Sequence, residues 1–105
     1  MIARIWRGAV RRQDADEYAA YIGATGLAGY LTTTGNRGAW ILRRDAGELT
    51  ELLTFTLWES LGAVKAFAGD DYETAVYYPE DDRYLVERDS RCAHYEVVQD
   101  PGSVA

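Results

Sequence analysis

The alternation of apolar and polar side chains is clearest over residues 49–58 and predicts a β-strand there. Successive side chains of a strand point to opposite faces, so one face carries large apolar groups, namely Leu53, Phe55 and Leu57. The other face carries two hydroxyls and an indole, namely Thr54, Thr56 and Trp58. Two such different faces favour two different neighbours: a helix layer, and a less apolar surface that lines a cavity or contacts a partner.

Three shorter runs rich in β-branched or aromatic residues predict further strands, over residues 2–10, 39–44 and 91–98. The first of two main helices is predicted to begin at Asp14 and to end near Thr25, because glycines then interrupt the helical spacing. The second begins after Ser60, a favourable N-cap residue. A further short helix is predicted from Asp70 to Val76, ahead of a proline.

The order strand, helix, strand, strand, helix, strand predicts an α+β fold of the ferredoxin-like βαββαβ type. Its four-stranded antiparallel sheet would carry both helices on one face. Two helices cannot cover both faces, so we expect an open face that includes Trp58 and Thr56, with Trp6, Trp40 and His94. That face is too aromatic for comfortable exposure, which predicts a homodimer packed sheet on sheet with a pocket between or beside the sheets.

Composition narrows the function classes. The chain has 105 residues and a mass of 11.7 kDa, which suits a single domain over residues 1–98 with a C-terminal tail at 99–105. A net charge of -6 argues against nucleic-acid binding and against docking on anionic membranes. Apolar runs are too short to span a bilayer, and Arg4 and Arg7 interrupt the N-terminal one, so we expect a cytoplasmic protein. Cys92 and His94 are the only residues of their kinds, so neither a disulfide nor a multi-histidine metal site is expected within one chain.

The run LTFTLWESLGAVKAFAGDDYETAVYY over residues 53–78 resembles the antibiotic biosynthesis monooxygenase family, whose fold is the dimeric α+β barrel. The runs MIARIWRGAV, TGNRGAWILRRD and HYEVV also fit, so the resemblance covers most of the chain. It implies a small monooxygenase that oxidises an electron-rich aromatic or enolisable molecule with no cofactor. The alternatives are a non-oxidative isomerase or lyase, or a ligand-binding dimer, on the same scaffold.

Haem binding is a further alternative that the resemblance raises. Haem-degrading relatives carry an Asn on the first strand, a Trp on the second long helix and a haem-ligating His ten residues later. The resemblance aligns Trp6 or Arg7 with the Asn, Phe67 with the Trp and Tyr77 with the His. All three positions differ, so haem degradation is disfavoured, and only ligation through a Tyr77 tyrosinate keeps haem binding open.

The candidate catalytic residues are a base, His94, and two candidate stabilisers of an anion, Tyr77 and Arg43. The candidate walls of a pocket for a small hydrophobic or aromatic ligand are Trp6, Trp40, Thr54, Thr56, Trp58 and Phe67. Each has a purely structural alternative. His94 would then bond a neighbour on its strand, the tryptophans would fill a dimer core, and Arg43 would form a surface ion pair across a hairpin.

Overall fold

Three long strands form the centre of the sheet: β1 (Ile2–Arg11), β2 (Asn36–Ala46) and β3 (Leu49–Trp58). In this computed structural model, which describes residues 1–99, β3 lies between β1 and β2 and pairs antiparallel with both along nearly their whole length. Gly47 closes the β2–β3 hairpin with a φ of 64°, a backbone conformation that favours glycine. Apart from Gln99, the predicted C-terminal tail lies outside the described residues.

The fourth position in the sheet is shared by two short strands, β4 (Leu85–Arg88) and β5 (Ala93–Glu96), which pair with β1 along the same edge. The strand order β2-β3-β1-β4, with β5 following β4 along the same edge of β1, confirms the ferredoxin-like α+β fold. The prediction of one last strand over residues 91–98 is corrected. Between β4 and β5 the chain turns to another neighbour: the Ser90 carbonyl accepts from Ala75 N–H at 2.9 Å, and Cys92 N–H donates to the Glu73 carbonyl at 2.7 Å.

The first helical segment is longer than the sequence predicted. It runs through α1 (Ala15–Ile22), a π-helical turn (Gly23–Leu27) and α2 (Ala28–Leu31) without leaving helical geometry. The predicted end near Thr25 is therefore wrong. Gly26 is buried beside the rings of Tyr30 and Tyr78, so packing of these rings offsets the low helix propensity of glycine.

The second main helix, α3 (Leu61–Ala68), begins as predicted, with the Ser60 hydroxyl accepting a hydrogen bond from Ala63 N–H. The predicted short helix over residues 70–76 does not form. Thr74 instead makes an isolated antiparallel bridge with Arg91, so its backbone pairs along the chain between β4 and β5. The short helix α4 (Asp81–Tyr84) lies after the proline rather than before it.

The helices all cover one face of the sheet, which we call the helix face. It carries the even-numbered residues of β3, all buried: Thr50, Leu52, Thr54, Thr56 and Trp58. The opposite, open face carries Leu53, Phe55 and Leu57, which are half-buried within one chain.

The predicted composition of the open face is corrected for four of its five residues. Trp58, Thr56, Trp6 and His94 lie on the helix face, and Trp40 alone lies on the open face, where it pairs with Phe55. Alternation identifies which residues share a face but does not say which face the helices cover. The hydroxyl-bearing face can be buried because its polar atoms bond one another: the Trp58 indole N–H donates to the Thr56 hydroxyl at 2.9 Å. No helix within residues 1–99 is long and apolar enough to cross a membrane.

Candidate functional site

A small cavity lies between the helix face of the sheet and the helices above it. Its floor is formed by β1 and β3, its roof by the first helical segment, and one side by the chain around residues 76–81. The volume is about 30 Å³, enough for water but well below the roughly 150 Å³ of a cavity that holds benzene. Its lining includes Arg4, Trp6, Tyr18, Tyr30, Thr54, Tyr77, Tyr78 and Cys92.

Trp6 forms an apolar wall of this cavity and is held from two sides. Its indole N–H donates to the Asp89 carbonyl at 3.0 Å and to the Tyr77 hydroxyl at 3.3 Å, and the Tyr77 ring packs edge-on against it. Gly8 leaves the space that the indole occupies, since a Cβ at this position would overlap the indole ring and Leu85. The wall is therefore fixed by packing as well as by hydrogen bonds.

Arg4 brings a cation into this apolar surrounding and is only 4% exposed. Its Nη1 donates to the Tyr72 carbonyl and, at 2.9 Å, to Nε2 of His94. The guanidinium also lies 5.9 Å from the centre of the Phe67 ring. Within residues 1–99, no carboxylate lies within 4 Å of it. Sequence reasoning did not single out Arg4, although its parity with Trp6 on the first strand was a usable signal.

His94 lies opposite Arg4 in the pairing of β5 with β1. A guanidinium has no acceptor, so Nε2 of His94 must accept the hydrogen bond, which leaves the imidazole neutral with its proton on Nδ1. Burial lowers the pKa of His94, and the positive charge of Arg4 lowers it further. The lone pair that a general base would use is therefore engaged by Arg4.

Several phenols also line the cavity as hydrogen-bond donors. Burial raises the pKa of Tyr30 to about 12 and also raises the pKa of Tyr78. Burial, followed by the nearby charge of Asp81, raises the pKa of Tyr18, whose hydroxyl donates to Asp81 at 2.9 Å. These three hydroxyls therefore keep their protons at neutral pH. The Tyr77 hydroxyl donates to the Asp89 carbonyl.

Some of the predicted site residues lie together at the cavity, and others lie elsewhere in the structure. Trp6, Thr54 and Tyr77 line the cavity, and His94 contacts Arg4 beside it. Three more pack in the core next to the cavity without lining it: Thr56, Trp58 and Phe67. Trp40 lies on the open face with its ring centre 5.8 Å from that of Phe55, and Arg43 is exposed and bonded to Asp16. Neither Trp40 nor Arg43 lines the cavity.

The part of the chain that the structure describes contains no preformed metal site. Residues 1–99 contain no group of three His, Cys, Asp or Glu side chains placed to hold an ion. Cys92 lines the cavity, and burial raises the pKa of its thiol, so it remains protonated.

Solved structures share this fold at low sequence identity. Rv0793 from Mycobacterium tuberculosis is 18% identical, with a TM-score of 0.63 over 95% of this chain and 97% of that chain. The heme-degrader MhuD from Mycobacterium tuberculosis, with two hemes bound in its active site, is 20% identical, with a TM-score of 0.61 over 95% and 98%. A Bacillus cereus protein provisionally named antibiotic biosynthesis monooxygenase is 16% identical, with a TM-score of 0.65 over 94% of each chain.

By sequence, no family model and no curated protein matches this chain. The resemblance seen in the sequence is thus confirmed at the level of the fold. At these identities the likeness carries no activity, substrate or cofactor over to this chain.

Proposed function

We propose that this chain, which has the fold of the antibiotic biosynthesis monooxygenases, is a small monooxygenase that oxidises an electron-rich aromatic or enolisable molecule without a cofactor. The observation that supports it best is the cavity between sheet and helices, where the wall formed by Trp6 meets the protonated phenols of Tyr30 and Tyr78. A flat aromatic ring packs well on indole, and phenol hydroxyls stabilise a developing anionic oxygen.

The proposed chemistry needs only the substrate and O₂. The deprotonated substrate gives one electron to O₂, and the resulting radical pair combines into a carbon-bound peroxide. Protonation and loss of water then leave a carbonyl in place of the original CH₂ group. One oxygen atom enters the product and the other leaves as water, and the substrate supplies all four electrons. The protein contributes an enclosed, dry site and hydrogen-bond donors.

The substrate has to open the cavity, because about 30 Å³ does not hold an aromatic ring. The movable side is the chain around residues 78–81, which two tyrosines of α1 hold in place. The Tyr18 hydroxyl donates to Asp81 at 2.9 Å, and Glu80 N–H donates to the Tyr21 hydroxyl at 3.0 Å. We propose that these contacts separate when substrate enters.

Haem does not fit this arrangement. The Tyr77 hydroxyl is bonded to the Asp89 carbonyl and to Trp6, and Nε2 of His94 is bonded to Arg4. Tyr77 and His94 are therefore both engaged by hydrogen bonds. The other possible ligands in the lining, the Cys92 thiol and the remaining phenols, keep their protons because burial raises their pKa values. We therefore assign haem no part in the proposed reaction.

Ligand binding without catalysis is the second candidate function. One observation favours it: the only imidazole of the chain has its basic nitrogen engaged by Arg4 rather than facing a substrate. On this alternative the cavity would bind the same class of molecule and release it unchanged.

Oxygen uptake with dithranol, an anthrone that enolises readily, separates the two candidates. We expect uptake above the rate without protein, with one anthraquinone formed per O₂. Tyr30→Phe should lower the rate constant roughly a hundredfold, the effect of losing one oxyanion donor. Trp40→Ala, which changes a residue outside the cavity, should leave it unchanged. Binding of dithranol without protein-dependent uptake would instead establish the binding function.

We also propose that the open face pairs two copies of the chain. Large apolar side chains remain exposed there, with Trp40 at 47%, Leu42 at 46% and Tyr95 at 58%, beside the half-buried Leu53 and Phe55. These apolar side chains border the ion-paired residues Arg7, Arg44 and Glu51 at one end of the face, and their exposed area favours burial against an identical surface.

A further inference from the structure

Burial without a carboxylate partner distinguishes Arg4 from the other arginines of residues 1–99. Seven arginines within residues 1–99 form ion pairs, and each of these side chains is at least 33% exposed: Arg7, Arg37, Arg43, Arg44, Arg83, Arg88 and Arg91. Arg4 is 96% buried, since its exposure is 4%, and it has no carboxylate partner in the same part of the chain. A buried cation is costly unless an anion compensates it. The chain thus leaves uncompensated the arginine that most needs a partner.

The N–H groups of Arg4 that lack an acceptor indicate where such an anion would bind. A guanidinium has five N–H groups, and Nη1 uses its two on the Tyr72 carbonyl and on His94. Nε and Nη2 have no acceptor among the described residues. Yet no fully buried side-chain nitrogen or oxygen of residues 1–99 lacks a partner, so these two atoms must keep some accessible surface. Arg4 lines the cavity, so we place the accessible part of Nε and Nη2 there.

The described residues that line the cavity include one carboxylate, Asp81, which forms no ion pair with Arg4 and accepts instead from the Tyr18 hydroxyl and from Tyr78 N–H. The polar groups nearest to the free donors are neutral. His94 is uncharged because it accepts from Arg4, and the Tyr30 phenol keeps its proton. Thr54 and Cys92, the other polar neighbours on the sheet side, are neutral as well. Arg4 is therefore the one cation among the described residues that line the cavity, and its free N–H groups have the fork geometry that suits two oxygens of one group.

We propose that the cavity binds its ligand as an anion, through a carboxylate or an ionised enol oxygen held by Nε and Nη2 of Arg4, while His94 positions the guanidinium from the other side. This rests on the proposed function and names its substrate class: an acidic enol or an aryl carboxylate rather than a neutral aromatic. A substrate that arrives as an ionised enol needs no base from the protein, which agrees with the engagement of His94. For an aryl carboxylate, the ionised carboxylate accounts for binding to Arg4 and not for the transfer of an electron to O₂.

The matched probes benzoate and benzamide test this directly, since they differ little in shape and differ in charge. Binding is read from the change in tryptophan fluorescence, to which Trp6 contributes from the cavity wall, and from the rise in unfolding temperature with ligand. For the unchanged protein we expect benzoate to bind about tenfold more tightly than benzamide, or better. Arg4→Met should abolish that preference and leave benzamide binding as it was. Arg43→Met, which alters an exposed arginine, should keep the preference.

Two further variants test the same proposal without changing Arg4, in case Arg4→Met does not fold. His94→Gln keeps an acceptor for Arg4 and should keep the preference for benzoate, whereas His94→Leu removes the acceptor and should weaken it. Equal affinities for the two probes in the unchanged protein, an unchanged preference in Arg4→Met, or no stabilisation by benzoate would each overturn the proposal.

Parallel oxygen uptake keeps this proposal separable from the monooxygenase function. A benzoate preference that depends on Arg4, without uptake of O₂ with dithranol, would support the anion site and reject the oxygenase. Uptake that is the same in Arg4→Met as in the unchanged protein would support the oxygenase and reject a role for Arg4.

Discussion

The same strands form both faces of the central sheet, but the two faces differ in which side chains they bury. On the helix face, hydroxyls, indoles and a guanidinium are buried, and they bond one another: Trp58 donates to Thr56, and Thr56 donates to the Arg4 carbonyl. On the open face, Leu53, Phe55 and Leu57 remain partly exposed within one chain, and an ion-paired group borders Leu53: Arg7, Arg44 and Glu51. The hydroxyls and indoles of the helix face are thus buried more deeply than the large apolar side chains of the open face.

This difference indicates which face binds a ligand and which face associates with a second chain. Buried polar groups are retained at a cost unless their hydrogen bonds are satisfied, so a cavity lined with them suits a polar ligand. Exposed apolar side chains provide no hydrogen bonds to a polar ligand. Burying them against another protein surface stabilises association. We therefore place ligand binding on the helix face and dimerisation on the open face, and the variants below test that division.

The adjacent leucines Leu52 and Leu53 give the largest expected contrast, because they lie on opposite faces of β3. Leu52 is fully buried against the helices, so Leu52→Ala should lower the free energy of unfolding by about 2–5 kcal/mol. Leu53→Ala should cost less, and its cost should depend on protein concentration if the open face forms a dimer. Urea unfolding at two concentrations measures both. Equal, concentration-independent losses would contradict the assignment of the faces.

Phe55→Glu should separate the proposed dimer into monomers, because it places a charge in the middle of the open face. Light scattering at micromolar concentration should give about twice the chain mass of 11.7 kDa for the unchanged protein and the single mass for the variant. Leu31→Glu, at an exposed helix position, is the matched control and should remain dimeric. A monomeric unchanged protein would rule out pairing through the open face at that concentration.

The sequence predicted the order of the main elements because their signals are local. The alternation of β3, the Ser60 cap and the hairpin at Gly47 depend only on neighbours in the chain. It did not predict the break between β4 and β5, because the groups that pair with residues 90–92 come from the irregular segment at 73–75. Nor did it predict the length of the first helical segment, where packing of distant rings on Gly26 outweighs propensity.

The site was predictable only in part, for the same reason. Parity placed Trp6 and Arg4 on one face, and the structure shows that face over the cavity. Parity could not show that the face is covered by helices, so the lack of a carboxylate beside Arg4 was not visible in the sequence. The engagement of His94 depends on the pairing register of two strands 90 residues apart, which composition and spacing do not determine.

A smaller effect is expected from the protonation of His94. Its pKa in the folded chain lies below the ordinary 6.5, so the unfolded chain binds this proton at a higher pH than the folded chain. Stability linked to His94 is therefore fully present above pH 6.5 and is lost as the pH falls below 6.5 toward the folded pKa.

Thermal unfolding of the unchanged protein and of His94→Gln across about pH 5 to 7.5 isolates this contribution. The unchanged protein should lose more stability on acidification than the variant, which keeps an acceptor for Arg4 but does not titrate. The Glu51 carboxylate, whose pKa is lowered chiefly by its hydrogen bond with Arg7, contributes equally to both proteins and only below its ordinary 4.5. Parallel curves for the two proteins would show that His94 titrates alike in the folded and unfolded chains.

Arg43→Ala should have the smallest effect, although Arg43 and Arg4 are the same residue type on neighbouring parts of one sheet. Arg43 bonds Asp16 at 2.7 Å with both side chains well exposed, so its loss should change the free energy of unfolding by no more than about 0.5 kcal/mol. Dithranol oxidation should be unaffected, since Arg43 does not line the cavity. A large loss of oxidation in this variant alone would move the site from the helix face to the hairpin. If dithranol oxidation is unchanged in Arg43→Ala but slower in Arg4→Met, a guanidinium alone is not enough to recognise the ligand. The burial of Arg4 and its lack of a carboxylate partner would then determine which arginine binds it.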